Sequence, residues 1–491
     1  MWTRDDLHNL VKEKLSGFLF VAVSNREPYI HTFSGSEIIA EVPASGLTTA
    51  LDPVMQACGG TWIANGRGEA DRKVVDKDNK VMVPPENPRY SLRRVWVSRE
   101  EEEGYYYGFS NNALWPLCHI AYTRPIFKES DWDNYKKVNE IFAQAVLDEV
   151  KDKKAFVFIQ DYHLTLLPGL IKERNPDIIS AQFWHIPWPN REAFRICPWK
   201  EEIIRGLLGN DLLGFHIRYH CNNFLDTVDQ TIESKIDWER YEVTSSGKKT
   251  GVRPFPISID FEEISSDAQK KDVDIEIKRM KSRLGLNDEM VGVGFDRMDY
   301  TKGIPDRILA VSHFFEKYPE YRGRMVFIQA GVPSRTELAA YKRLDEEVDK
   351  LVRDTNERYS KGSWKPIIYL REHLHPITMM ALRRMADYCV VSSLHDGMNL
   401  VAKEYVASRF DEDGVLILSP FTGASRELTD ALLVNPYATD HFAEAIKDAL
   451  EMPEEERRKR MKKMREVVRE NNVYKWAADI ITELVKFEFG K

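Results

Sequence analysis

The chain has 491 residues, of which 43% are hydrophobic and 30% charged, and its formal net charge is −8. This length predicts two or three domains, because single hydrophobic cores stop growing at about 250–300 residues. The acidic balance argues against a nucleic-acid-binding protein, which needs a basic surface to replace the counterions of the phosphates. No apolar run approaches the ~20 residues that span a bilayer, so no membrane partner is expected.

The five cysteines are scattered and never form a CxxC pair, which predicts reduced thiols and neither a disulfide framework nor a zinc ribbon. The N-terminal segment, residues 1–17, is too charged for a secretory signal and predicts a short amphipathic helix. Both features favour a cytoplasmic protein.

Short apolar runs alternate with longer segments of helical spacing along the whole chain. These runs predict strands at 18–24, 155–160, 179–185, 212–217, 291–295, 325–331, 366–370, 389–393, 414–419 and 431–436. The runs are continuous, as expected of strands that helices cover on both faces. Strands that alternate with helices indicate right-handed βαβ units and parallel sheets, which is an α/β fold.

A highly charged helical stretch after residue 262 separates two such alternations. We therefore predict two Rossmann-like, doubly wound domains, 1–262 and 263–470. The last segment, 471–491, has helical periodicity.

Large polar side chains follow directly after six of the predicted strands. These groups are residues 24–26, 160–163, 185–188, 296–303, 333–335 and 393–399. Ligands of open α/β sheets bind beyond the carboxyl ends of the strands, so this pattern predicts a binding site there. Loops that are merely polar remain the alternative.

Arg297 and Lys302 bracket a turn between a strand and a helix start, and two cations in that position suit a diphosphate. Gly397 would allow a ligand to approach the backbone at a second strand–helix junction. Glu404, in the helix that follows, could accept the two hydroxyl groups of a ribose. Each of these charged residues, taken alone, is also compatible with solvated surface.

Several other functions lack their motifs. GVGFDR (292–297) is not GxGxxG, and there is no GxxxxGK[ST] loop, which disfavours nicotinamide-dependent enzymes and nucleotide triphosphatases. The spacing of His216, His220 and Cys221 suits a metal, but no fourth ligand is evident. The DxD-like triplets at 131–133 and 272–274 fall in helical stretches, so neither a metal nor a cofactor is expected.

The same residues resemble those of the trehalose-6-phosphate synthases, the retaining glycosyltransferases of family 20. The resemblance runs from about Phe20 to the C-terminus, and its most specific stretch is DGMNLVAKEYVA (396–407). It also includes NNALWP (111–116), QDYHL (160–164), HIPWP (185–189) and RMDYTKG (297–303), in the order of the family.

The resemblance implies the GT-B arrangement, two Rossmann-like domains facing each other across a cleft, with the last helix returning to the N-terminal domain. It implies transfer of glucose from a nucleotide-diphosphate glucose, with UDP-glucose the preferred donor, to glucose 6-phosphate, without an obligatory metal. The product would be α,α-trehalose 6-phosphate. The C-terminal domain would bind the donor and the N-terminal domain the acceptor.

The resemblance also implies roles for individual residues. The donor-binding residues would be Gly46, His185, Arg297, Lys302, Asp396, Gly397, Met398, Asn399, Leu400 and Glu404. The acceptor-binding residues would be Arg26, Tyr106, Trp115, Asp161 and Arg335. Of these, Arg297, Lys302, His185 and Asp161 would take part in catalysis.

The chain departs from the family pattern mainly on the acceptor side. The glycine pair of the donor loop is Ser45-Gly46, an arginine is replaced by His395, and a tryptophan near the acceptor is replaced by Asn65. The segment 69–91 is an insertion, and the N-terminal helix is extra.

These departures leave three alternatives open. The acceptor could be another phosphorylated compound such as glycerol 3-phosphate, or the chain could be a non-catalytic relative that binds sugar phosphates. A glycoside hydrolase would need two carboxylates, for which Asp161 and Asp396 are candidates, but the paired cations would then have no purpose. The sequence also leaves open the donor nucleotide, whether uridine, guanosine or adenosine, and whether the chain forms a homo-oligomer.

Overall fold

The computed structural model describes residues 1–43 and 46–489, and these fall into two compact units. The first unit contains residues 1–257 and the segment from Asn472 onward, and the second contains Ser258–Asn471. No helix within the described ranges is both long and apolar enough to cross a membrane.

The strands of the first unit are β1 (Leu19–Arg26), β2 (Ile30–Ser34), β3 (Glu37–Glu41), β4 (Thr61–Asn65), β5 (Lys80–Val83), β6 (Tyr90–Val95), β7 (Ala155–Gln160), β8 (Ile179–Phe183), β9 (Leu212–Phe215), β10 (Lys235–Asp237), β11 (Glu242–Ser245) and β12 (Lys248–Pro254). Those of the second unit are β13 (Met290–Arg297), β14 (Met325–Val332), β15 (Ile367–Leu370), β16 (Tyr388–Val391), β17 (Val415–Leu418) and β18 (Leu432–Leu433).

The helices, in chain order, are α1 (Arg4–Lys14), α2 (Gly46–Cys58), α3 (Asp71–Val74), α4 (Arg99–Glu102), α5 (Trp115–His119), α6 (Glu129–Val150), α7 (Leu167–Arg174), α8 (Arg191–Phe194), α9 (Lys200–Leu207), α10 (Arg218–Thr231), α11 (Phe261–Ala268), α12 (Lys271–Leu284), α13 (Ile304–Lys317), α14 (Ala339–Tyr359), α15 (Pro376–Met385), α16 (Leu400–Ser408), α17 (Thr439–Glu451), α18 (Glu454–Glu470) and α19 (Val473–Phe489). A π-helical segment, Glu103–Leu114, joins α4 to α5, and 3₁₀ turns cover Tyr162–Leu164, Tyr300–Lys302, Pro319–Tyr321 and Gly423–Arg426.

The sheet of the second unit is parallel throughout, in the order β15-β14-β13-β16-β17-β18. In chain order this is 3-2-1-4-5-6, the order of the dinucleotide-binding Rossmann fold. The winding therefore reverses between β13 and β16, and the connections leave a crevice at the carboxyl ends of these two strands. Buried aliphatic and aromatic residues such as Val311, Phe314 and Ile446 fill the core around the sheet.

The larger sheet of the first unit follows the order β10-β11-β12-β9-β8-β7-β1-β4-β6-β5. Its parallel part, from β12 to β6, has the same reversal, which here lies between β1 and β7. Both units are thus Rossmann-like, and the predicted α/β fold class is confirmed. Helix α19 packs on β8, where Trp476 meets Phe183 edge to face with ring centroids 5.1 Å apart.

Each of the ten predicted strands overlaps an observed one, although 431–436 overlaps only Leu432–Leu433. The predicted N-terminal helix is also confirmed as α1, where Thr3 and Asp6 form a capping box. The prediction missed the hairpin of β2 and β3 and the strands β4, β5, β6, β10, β11 and β12. The insertion 69–91 forms α3 and β5, and β5 pairs antiparallel with β6.

A buried network of charged residues ties together the loops at the carboxyl edge of this sheet. The Arg94 guanidinium donates to Glu27 at 2.7 Å and pairs with Asp71 at 2.8 Å, and all three side chains are at most 1% exposed. The His31 backbone N–H donates to Asp71 at 2.8 Å. Burial, together with the neighbouring Asp71 carboxyl group, raises the pKa of Glu27 to about 8. The two carboxyl groups thus share one proton near neutral pH.

This shared proton predicts how the stability of the first unit depends on pH. The folded chain holds the Glu27 proton up to about pH 8, whereas an ordinary glutamate with a pKa of 4.5 releases it. Between these values the folded state binds more protons, so the Glu27 contribution to stability is lost as the pH rises. We expect the unfolding temperature to fall over this window by at least ~2 °C more in the wild type than in Glu27→Gln.

Thermal unfolding at constant ionic strength, from pH 4.5 to 8.5, measures this difference. Asp71 does not mask it, since its lowered pKa confines its own effect to pH values below the ordinary 3.8. A wild type and a variant with parallel pH profiles would contradict the shared proton.

Candidate functional site

In the second unit, the residues after β13 and β16 lie beside the reversal of the sheet. Arg297 is the last residue of β13, and a 3₁₀ turn then ends at Lys302. The Lys302 ammonium donates to the Asp396 carboxylate at 2.5 Å. Two residues that the sequence assigned to a donor site are therefore brought into contact, although 94 residues separate them.

The loop between β16 and α16 is held by hydrogen bonds of its own side chains. The Asn399 amide donates to Asp396 at 3.2 Å, and the Ser393 hydroxyl donates to the same carboxylate oxygen at 3.2 Å. Asn399 also caps α16 by accepting from the Ala402 N–H at 3.0 Å. The partial positive charge of a helix N-terminus favours an anion nearby.

The backbone of the same loop packs directly on the segment after β17. The N–H of Gly423 donates to the Asp396 carbonyl at 3.2 Å, and the N–H of Ala424 donates to that of Met398 at 2.9 Å. A Cβ on Gly423 would lie 2.1 Å from the carbonyl oxygen of Gly397, so only glycine allows this approach. Gly397 and Met398 are buried, and Leu400 is the first residue of α16.

Glu404 lies on α16, and its carboxylate forms an ion pair with Arg383 of α15. The side chains are 10% exposed for Arg383 and 19% for Glu404. The sequence predicted Glu404 as a ribose ligand but gave no signal for Arg383, because the pair depends on the packing of α15 against α16. The Arg383 guanidinium also lies 5.5 Å from the ring centroid of Phe295 on β13.

Arg335, predicted to bind the acceptor, is fixed beside the end of β13. Its guanidinium donates to Asp299 at 3.2 Å and to the Tyr341 hydroxyl group. Burial would raise the pKa of Asp299, but the charges of Arg335, Arg297 and Lys302 outweigh it and lower that pKa. Asp299 is thus a buried anion whose charge interacts favourably with three cations near one edge of the sheet.

Arg307 is a second residue that the sequence did not reveal. It is fully buried on α13, forms an ion pair with Asp296 at 2.7 Å, and donates to Ser392 at 3.0 Å and Gln329 at 2.9 Å. These contacts join β13, β14 and β16 beneath the loops just described. No sequence motif marks it, since its partners come from three separate strands.

In the first unit, the predicted acceptor residues lie beside the reversal between β1 and β7. Arg26 ends β1, and its guanidinium donates to the Tyr106 hydroxyl group at 3.1 Å. Tyr106 belongs to the π-helical segment, which packs tightly on α6, where a Cβ on Gly108 would lie 2.4 Å from the Asp131 carboxyl carbon. The Tyr106 ring stacks on the His163 ring, with centroids 5.7 Å apart.

Asp161 and His185, predicted as catalytic residues, are in contact. The backbone N–H of His185 donates to the Asp161 carboxylate at 3.2 Å, and Asp161 follows β7 directly. The His185 ring is 2.9 Å from the Gln160 side-chain oxygen. Burial, with smaller effects of His216 and His163, lowers the pKa of His185 well below its usual value, so the ring is neutral near pH 7.

The two remaining predicted residues of the first unit are Trp115 and Gly46. Trp115 begins α5, is 6% exposed, and packs on His119 with centroids 4.1 Å apart. Gly46 is exposed at the start of α2, while its predicted partner Ser45 lies outside the described residues.

Three predicted site residues have left-handed backbones, which side chains other than glycine rarely adopt. Their φ angles are 70° for Asp161, 49° for Arg335 and 91° for Asn399. Such strain costs of order 1–3 kcal/mol per residue and persists where surrounding contacts enforce it. In each case the side chain is held by the hydrogen bonds described above, which is typical of binding and catalytic positions.

The geometry suits the binding of anions and sugars. Each unit presents at least one cation at the reversal of its sheet, with hydrogen-bonding side chains and buried aromatic rings nearby. Among residues 1–43 and 46–489, no three His, Cys, Asp or Glu side chains form a group that could hold a metal ion.

Known proteins are similar to this chain in sequence and in fold. The profile of glycosyltransferase family 20 matches residues 19–486. The chain is 37% identical over 476 residues to a bifunctional trehalose-6-phosphate synthase/phosphatase of Thermoproteus tenax, covering 95% of this chain and 63% of that protein. It is 36% identical to a trehalose-6-phosphate synthase of Mycobacterium avium, covering 95% of each.

A solved structure is similar over nearly the whole chain. It is that of an α,α-trehalose-phosphate synthase (UDP-forming) of Burkholderia xenovorans in complex with glucose 6-phosphate, with a TM-score of 0.84, 28% identity, and coverage of 95% of this chain and 99% of that one. The chain therefore belongs to glycosyltransferase family 20.

Proposed function

We propose that the chain transfers glucose from UDP-glucose to glucose 6-phosphate, with retention at the anomeric carbon, and forms α,α-trehalose 6-phosphate. The observation that carries the proposal is the match to trehalose-6-phosphate synthases over 95% of the chain, in sequence and in fold. The Burkholderia relative is described as UDP-forming and was solved with glucose 6-phosphate. In this proposal the second unit contributes most of the donor site and the first unit most of the acceptor site, while His185 and Arg335 are contributed by the other unit in each case.

The donor's diphosphate would bind at the reversal between β13 and β16. Lys302 and Arg297 supply the positive charge, and the N-terminus of α16 adds backbone N–H groups. The Lys302 ammonium group also forms an ion pair with Asp396 at 2.5 Å. Glu404 would accept the hydroxyl groups of the ribose, while residues 396–400 line the glucose.

The acceptor would bind at the reversal between β1 and β7. Arg26 would donate a charge-assisted hydrogen bond to its phosphate, and Tyr106 and Trp115 offer a sugar both apolar faces and polar edges. Asp161 would accept from a sugar hydroxyl group. Arg335 retains, as a prediction, the phosphate-binding role that the resemblance implies.

The chemistry then rests on position and charge. The leaving diphosphate takes the proton of the attacking hydroxyl group on the same face of the glucose, so no protein nucleophile is needed. Lys302 and Arg297 stabilise the charge that develops on the diphosphate as the glycosidic bond breaks. His185, being neutral, can exchange hydrogen bonds with the transferred glucose without adding charge.

The proposal is tested by nucleotide release from UDP-, GDP- and ADP-glucose with glucose 6-phosphate, glycerol 3-phosphate or glucose as acceptor. We expect release of UDP with glucose 6-phosphate, and trehalose 6-phosphate as the product identified by mass and NMR. Transfer to glycerol 3-phosphate alone would replace the acceptor in the proposal. A failure of every pair would favour a non-catalytic sugar-phosphate-binding protein.

Lys302→Ala and Arg297→Ala should each lower kcat about 10²–10³-fold, because each removes charge stabilisation from the leaving diphosphate. The KM for the acceptor should change little. Lys342→Ala, which removes an exposed cation of α14 in the same unit, is the matched control and should leave kcat unchanged. Steady-state kinetics of folded variants decides this, and unchanged turnover in either active-site variant would assign the diphosphate to other residues.

A further inference from the structure

Arg67 is a cation that neither the motifs nor the proposed reaction has used. It follows β4, two residues after Asn65. Because β4 pairs in parallel with β1, Asn65 lies in register with Arg26 at the carboxyl edge of the sheet. Arg67 therefore emerges beside the predicted acceptor residues of the first unit.

The Arg67 side chain reaches the same tyrosine that Arg26 contacts. Its guanidinium carbon is 5.2 Å from the centroid of the Tyr106 ring, while Arg26 donates to the Tyr106 hydroxyl group at 3.1 Å. Two guanidinium groups thus contact one buried ring. Because both groups are cations on the same tyrosine, an anion that binds both of them is favoured.

Arg67 is held in this position from two sides. Its backbone N–H donates at 2.9 Å to the Glu27 carboxyl group, which belongs to the buried network with Arg94. Its guanidinium forms an ion pair with Glu102, which precedes the π-helical segment that carries Tyr106. The Arg67 side chain as a whole remains 29% exposed.

Buried polar atoms beside this pair of arginines lack partners. Within the part of the chain that the structure describes, the side-chain oxygen of Asn65 makes no hydrogen bond, and neither the oxygen nor the nitrogen of the Asn25 amide does so. The residues are only 4% and 3% exposed. Buried polar atoms are rarely left unsatisfied. Asn65 is the last residue of β4, and Asn25 is the last but one of the neighbouring strand β1. They indicate a place where a polar ligand completes the hydrogen bonds.

We propose that Arg67 is a specificity-determining residue that binds the acceptor's phosphate group together with Arg26. The inference rests on the proposed function and deepens it, since it names the group that selects a phosphate monoester over an uncharged acceptor. The ion pair with Glu102 orients the Arg67 guanidinium group. When the phosphate binds, Arg67 adds a second charge-assisted contact across the face of Tyr106.

The test compares the KM for glucose 6-phosphate, at saturating UDP-glucose, in the wild type, Arg67→Gln, Arg67→Lys and Glu102→Gln. We expect Arg67→Gln to raise this KM about 10- to 100-fold, the effect of losing one charge-assisted hydrogen bond. The KM for UDP-glucose should stay within about twofold, since Arg67 lies on the acceptor side. Arg67→Lys should recover part of the loss because it keeps the charge without the fork of donors.

Glu102→Gln separates binding from mere support of Tyr106. If Arg67 only clamps the π-helical segment through Glu102, this variant raises the KM as much as Arg67→Gln does, and the inference fails. If Arg67 binds the phosphate, Glu102→Gln leaves the KM within about threefold. Arg72→Gln, which changes an exposed arginine of α3 that lies 4.1 Å over the Trp96 ring, controls for loss of net charge.

If the proposed function is wrong, the wild type itself will not transfer glucose to glucose 6-phosphate, whereas a wrong inference about Arg67 shows only in the comparison of variants. If another phosphorylated acceptor is the substrate, its KM should show the same dependence on Arg67. If the wild type transfers to no acceptor, calorimetric titration with glucose 6-phosphate replaces the kinetics, and Arg67→Gln should weaken binding by the same factor. Equal affinity of wild type and Arg67→Gln for the phosphate overturns the inference in either assay.

Discussion

The arrangement of both units depends on one constraint, the reversal of winding within each parallel sheet. A right-handed connection places its helix on one face, and the chain changes face where the strand order changes direction. In the first unit this happens between β1 and β7, and in the second between β13 and β16. At these two places alone the loops after neighbouring strands diverge, so the polar residues that follow the strands surround an open crevice.

A binding crevice requires loops that keep their positions. In each unit a buried arginine holds such loops together. Arg94 joins Glu27 and Asp71 in the first unit, and Arg307 joins Asp296, Ser392 and Gln329 in the second. Burying such charges is costly, and apolar residues would often give equal stability. The buried arginines contribute orientation rather than stability. The hydrogen bonds of a guanidinium group fix the positions of several loops at once, which an apolar contact does not do. The left-handed backbones of Asp161 and Asn399 are held by the same kind of directional bonds.

The sequence predicted the parts of the fold that depend on local pattern. Continuous apolar runs such as 155–160 identified the buried parallel strands, because such strands are covered on both faces. Strand β4 escaped because it is short, mixed in polarity and preceded by two glycines, although all of its residues are buried. The edge strands β5 and β10 were missed because each has only one neighbouring strand and is otherwise exposed to solvent, so neither needs a continuous apolar run.

The same distinction applies to the candidate sites. Residues that follow a strand directly, such as Arg26 and Asp161, can be found from sequence because strand ends imply position. Arg383 and Arg307 could not be found, since their importance comes from helices that meet strands far away in the chain.

The two sites differ in how far their specificity depends on side chains. In the second unit the loop 396–400 is fixed by backbone hydrogen bonds to residues 421–424 and by the close approach at Gly423, so its shape tolerates little change. In the first unit the surface beside Arg26 is formed by side chains at the end of β4, where Asn65 and Arg67 stand. A side chain can be exchanged without altering the sheet beneath it, whereas a backbone wall cannot. Differences in acceptor preference within this fold are therefore expected to arise at the end of β4, and the presence of an arginine there favours an acceptor that carries a full phosphate charge.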